Sequence, residues 1–152
     1  MMKIQFQDLI PKDFNDNSHV WIYQSSRVFT FPEAVRIEEQ LKDFAANWKS
    51  HGTPVKGYGN LLFGQFVIFM ADETASGVSG CSTDSSVRLV KNIEKDFQVD
   101  MFDRQMLAFV VNEKIQRTGQ PRALCHAEHG IYHIVSKSLQ HPRTSYKLIF
   151  IC

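Results

Sequence analysis

The chain has 152 residues, 43% of them apolar and 22% charged, with 17 lysines and arginines against 16 aspartates and glutamates. That length suits one domain able to bury a core without disulfides or metals. A formal charge of +1 lacks the basic excess of a dedicated nucleic-acid binder and the low hydropathy and high net charge of a disordered chain.

Residues 1–18 scatter Phe6, Leu9, Ile10 and Phe14 among polar residues, and are expected to form an N-terminal arm lying on the domain. No apolar segment here resembles a secretory signal, and Phe66–Ala71 is too short for a membrane span, so a cytoplasmic location with no membrane partner is expected. Cys81, Cys125 and Cys152 form no CxxC pair, and free thiols fit a reducing compartment.

His19–Gln24 is rich in β-branched and aromatic residues and predicts a strand. Thr30-Phe31-Pro32-Glu33 then reads as a capping box with proline in the first turn. Ala34, Ile37, Leu41, Phe44, Ala45 and Trp48 follow at helical spacing, predicting a helix over 31–50 that stops at His51-Gly52. Val55–Leu62 and Gln65–Ala71 predict two strands joined by a tight turn at Phe63-Gly64, the second apolar on both faces as a central strand is. A loop over 72–83 leads to a helix predicted over 84–98, capped by Ser82 or Asp84, with Val87, Val90, Ile93 and Phe97 on one face. Leu107–Val111 predicts another strand.

The order β-α-β-β-α-β is that of a ferredoxin-like split βαβ sandwich, an α+β fold with two helices on one face of an antiparallel sheet. Residues 18–112 would form this core within one domain spanning 1–152. An open second sheet face would favour a homodimer. Residues 115–152 differ in composition. Arg117, Arg122, Lys137, Arg143 and Lys147 there face a single acid, Glu128, a local +4 against −3 over residues 1–114. This basic, His-rich extension carries short strand-like runs at 131–135 and 146–150.

The segments Val20–Arg27, Trp48–Gly52 and Asp72–Arg88, with Gly80-Cys81-Ser82 the most specific part, resemble a family of small uncharacterised bacterial proteins often labelled automatically as ABC-transporter ATPases. The resemblance covers 18–112 and implies no activity, cofactor or catalytic residue. The ATPase label fails on chemistry: a P-loop needs Gly-Lys-Ser or Gly-Lys-Thr to reach the phosphates and hold Mg²⁺, and neither occurs in this chain.

Candidate chemistry concentrates at the second helix start. Ser79, Gly80, Ser82, Thr83 and Ser85 could offer amides and hydroxyls to a phosphate or carboxylate, with Arg88 closing on it. The plainer alternative is that these hydroxyls only cap the helix and Arg88 pairs with Asp84. Cys81, beside Gly80 at the same helix start, is a candidate nucleophile, since N-terminal amides stabilise a thiolate. It would need a base from His19, His51, His126 or His129, and the alternative is a small residue closing the loop. His126, His129 and His133 are spaced i, i+3, i+7, as a metal would want on one helical face, but Gly130 interrupts that helix and exposed histidines are the simpler reading. No metal or other cofactor is therefore expected. Asp72-Glu73 at a strand end reads as the start of a solvated loop, one acid pairing with a nearby arginine. Trp21, Tyr23 and Tyr58 could stack a ligand, though core packing accounts for them as well. The sequence therefore favours a small binding or interaction domain that recognises an anionic small molecule at the 76–88 loop and helix start, with no nucleic-acid partner. A Cys81-dependent enzyme is the alternative, and the balance leans against it.

Overall fold

The computed structural model describes residues 11–15, 18–72, 80–103, 107–111, 114–118, 132–134 and 149–151, and side chains within 11–15, 18–72 and 83–103. The elements in chain order are β1 (His19–Gln24), α1 (Phe31–Asn47), β2 (Lys49–Ser50), β3 (Thr53–Pro54), β4 (Lys56–Leu62), β5 (Phe66–Asp72), α2 (Gly80–Phe97), β6 (Leu107–Val111), β7 (Lys114–Thr118), β8 (Tyr132–Ile134) and β9 (Ile149–Ile151). Among the described residues the chain is thus a mixed α+β protein with two helices and a small antiparallel sheet.

That sheet has the order β1-β5-β4, antiparallel throughout. β5 lies in the middle, as its unbroken apolar run requires. The strand expected at 107–111 forms as β6, but its partners are β7 and β9, in a four-stranded sheet ordered β7-β6-β9-β8. The first, third and second predicted strands are thus neighbours in one sheet, and the predicted fourth is paired in the other.

α1 begins where its sequence signals. Thr30 is the N-cap, its amide donates to Glu33 Oε2 at 2.8 Å, and Pro32 occupies the first turn. The helix ends at Asn47, three residues before the predicted stop. Trp48 leaves the helical conformation and turns its ring into the core beside Trp21, Phe44 and Phe69. Lys49 and Ser50 then pair with Thr53 and Pro54 across His51 and Gly52, both at positive φ (49° and 83°), the backbone that a two-residue hairpin turn demands.

α2 starts at Gly80, four residues earlier than predicted, so Ser82 and Asp84 lie inside the helix rather than capping it. The small polar residues 80–83 have loop composition, but propensity is a weak prior that tertiary context overrides. Its C-terminus closes with Gln98 at φ 51° and the Val99 amide donating to the Glu94 carbonyl at 3.1 Å, a Schellman-type end built on glutamine instead of glycine.

The core lies between the helices and one sheet face. Ile37 and Leu41 of α1 and Val90, Ile93 and Phe97 of α2 pack with Trp21, Tyr23, Leu61, Val67 and Phe69. Arg27 ties the two helices together. Its guanidinium holds Glu33 through two hydrogen bonds of 2.7 and 2.8 Å and donates to the Phe97 carbonyl at 2.9 Å. One side chain thus serves the acidic start of α1 and an unpaired carbonyl at the end of α2. The Arg27 fork, then the Thr30 amide, holds the Glu33 carboxyl at about 2, well below the usual carboxylate range.

The second sheet face is not open along β5, which corrects the expectation of an uncovered face. Phe66, Ile68 and Met70 point away from the helices, yet are only 2%, 7% and 6% exposed. Gln24, in register with Phe66, shares that face and is 1% exposed. Both its amide nitrogen and its amide oxygen are buried without a hydrogen-bond partner among the described residues. An unpaired buried polar group costs about 1–3 kcal/mol. Gln24→Met keeps the shape and removes the polar atoms, so urea denaturation should find the variant more stable by about that amount. A variant less stable than the parent would overturn this account.

Candidate functional site

The earlier start of α2 changes what the candidate loop can offer. The first four amides of a helix have no intrahelical acceptor. With the start at Gly80, those within the helix belong to Gly80, Cys81 and Ser82, four positions earlier than a start at residue 84 would place them. Thr83 and Ser85 are half-buried, and Asp84 and Arg88 are exposed. The Thr83 carbonyl accepts from the Ser86 hydroxyl at 2.7 Å, a bond internal to the helix. Ser86 itself is fully buried in line with Val90, Ile93 and Phe97.

Helical register places positions 81, 85 and 88 in one row at i, i+4 and i+7, separate from the buried row of 86, 90, 93 and 97. Arg88 stands about 12 Å along the axis from Gly80, at roughly 1.5 Å per residue. It is therefore two turns into the helix, and its side chain must reach back to meet an anion at the first turn. Of the i,i+4 pairs on the described helices, Lys42–Glu38 makes an ion pair, at 3.7 Å. Ser79 and the rest of 73–79 lie outside the described residues.

The candidate bases for Cys81 are spread through the chain. His19 opens β1 with its ring 5.8 Å from Trp21, and His51 is exposed at the β2–β3 turn. His126 and His129 lie outside the described residues. His133 is in β8, in register with Phe150, so the helix that would align it with His126 and His129 does not form at that position. Among the described residues no three His, Cys, Asp or Glu side chains gather as metal ligands.

The remaining candidates have structural roles. Asp72 is buried, not solvated, and lies 3.8 Å from Lys56 Nζ of the neighbouring strand, while Glu73 lies outside the described residues. Trp21 and Tyr23 are core residues, Trp21 against Trp48 and Tyr23 against Phe69 and Phe102. Tyr58 is half-buried, and its hydroxyl accepts from Asn60 at 2.8 Å.

One cluster escaped sequence reasoning. Lys56 Nζ meets Asp72 of β5, Asp13 of the N-terminal segment and the ring of Phe14. The Lys56–Asp72 half was within reach, because a turn centred on Phe63-Gly64 puts those residues opposite each other. The Asp13–Phe14 half joins positions 43 residues apart and has no local signal.

Among the described residues no helix is long and apolar enough to cross a membrane. Compared with known protein families, with curated proteins and with solved structures, the chain finds no match in any of the three.

Proposed function

We propose that the chain is a small binding domain that takes an anionic small molecule, phosphorylated or carboxylated, at the first turn of α2. The observation that carries this reading is the helix start at Gly80, which puts three amides that have no intrahelical acceptor, on Gly80, Cys81 and Ser82, at the positive end of an 18-residue helix. Ser79, Ser82, Thr83 and Ser85 would add hydroxyls, and Arg88 would supply the charge by reaching back along its row. A thermal-shift screen with phosphorylated and carboxylated metabolites tests it. At least one compound should raise the melting temperature of the parent, and that shift should shrink in Arg88→Met. A flat response across the panel ends this reading.

The Cys81-dependent enzyme remains the second reading, because Cys81 lies within the first turn, where amides and helix dipole favour a thiolate. Thiol labelling of the native protein over a pH series separates the two. Rapid labelling at Cys81 with a midpoint well below the usual thiol range supports the nucleophile. A thiol inert until unfolding leaves binding alone.

The proposal takes the domain as cytoplasmic and homodimeric. With β5 covered on both faces, the apolar surface that favours pairing is Phe31, 82% exposed, and Val35 one turn further along α1. A monomer mass at all concentrations in sedimentation sinks the dimer. The ferredoxin-like reading of the core draws support from β1-β5-β4 and from the Ser26 amide, which donates to the Asp100 carbonyl at 2.8 Å. That bond starts the returning chain beside the end of β1.

A further inference from the structure

We propose that residues 11–15 form a releasable strap latched to the start of β4 through Lys56. The Lys56 ammonium donates to the Asp13 carbonyl, lies 3.2 Å from Asp13 Oδ2 and sits 4.8 Å from the centre of the Phe14 ring. Phe14 in turn meets the edge of Tyr58, on the same strand, at 6.4 Å and 68°. A hydrogen bond from the Ser18 amide to the Asn15 carbonyl, 2.9 Å, turns the segment into β1. Three groups of five consecutive residues thus converge on one cation, the Asp13 carboxylate, the Asp13 carbonyl and the Phe14 ring.

The partners of Lys56 differ in a way that makes the latch reversible. The Asp72 side chain beneath it is 8% exposed, whereas Asp13 above it is 74% exposed. Water and salt screen an exposed pair far more than a buried one. Asp72 therefore keeps the ammonium in place while Asp13 comes and goes, and the strap leaves without disturbing β4. Its departure uncovers Tyr58 and frees one side of the Lys56 charge, so any other acidic group that takes Lys56 lifts the strap by replacing Asp13.

Amide hydrogen exchange on the full-length protein tests this. In Lys56→Gln the amides of residues 12–15 should exchange about fivefold faster, the factor expected when an exposed ion pair is lost, while those of 66–72 stay unchanged. Raising sodium chloride on the parent should accelerate 12–15 in the same direction, and Lys56→Gln should lose that salt response. Unchanged exchange at 12–15 in the variant overturns the latch. Equal acceleration at 66–72 also overturns it, because it means the whole sheet has loosened rather than the strap alone.

Discussion

Phe69→Ala should lower the stability of this protein by about 3–5 kcal/mol, the range for emptying a fully buried phenylalanine site. Phe69 has no exposed surface and occupies the middle of the central strand. Its ring centre lies 5.3 Å from Phe44, 6.1 Å from Trp48 and 6.2 Å from Tyr23. Those partners come from α1, from the residue that ends α1, and from β1, so one ring joins three parts of the chain. Truncation removes transferred apolar area and the edge-to-face contacts, and it leaves a cavity that stiff aromatic neighbours fill poorly. Domains are stable by only about 5–15 kcal/mol, so the loss is a large share of the total. Urea denaturation followed by tryptophan fluorescence measures it, since Trp48 borders the new cavity. A loss below about 1 kcal/mol would mean that the cluster collapses freely and that its packing is not what holds α1 to the sheet.

Gly59→Ala should also destabilise, by about 1–3 kcal/mol, through overpacking rather than a cavity. Gly59 is on the face of β4 turned to α1, and a Cβ there would stand 2.8 Å from the Leu41 carbonyl oxygen and 3.4 Å from its carbon. The obstacle is helix backbone, which cannot rotate aside as a side chain can. Leu41 is fully buried, so the helix can yield only by lifting away from the sheet and weakening the contacts around Ile37 and Leu41. Gly52→Ala is the control. Nothing lies within 4 Å of a Cβ at Gly52, so only the strain of its positive φ is felt there. Equal losses in the two variants would show that the α1–β4 approach tolerates a methyl group and that Gly59 serves another purpose.

The parts of the fold legible in the sequence are those with a local cause. The Thr30-to-Glu33 capping box marks the start of α1, the apolar period of 3.6 marks its buried row, and the Phe63-Gly64 turn sets the β4–β5 register. The unbroken apolar run of Phe66–Ala71 correctly predicts a strand between two others. The start of α2 was hidden because Gly80, Cys81, Ser82 and Thr83 are weak helix formers, and Ser82 and Asp84 are both good caps. The candidate residues were visible as a group, but their register was not, and it moves Arg88 from one turn into the helix to two.

Sequence alone thus determined the start and buried row of α1, the places of β1, β4, β5 and β6, and that no P-loop can form. Tertiary structure alone decided that β6 pairs with β7 and β9, that both faces of β5 are buried, that Gly59 meets Leu41, and that Lys56 stands between Asp13 and Asp72. The division has one physical reason. Caps, periods and turns depend on residues within a few positions of each other and leave a readable pattern. Strand partners, close backbone approaches and shared ion pairs join residues far apart in the chain, and they are chosen by the packing of the whole.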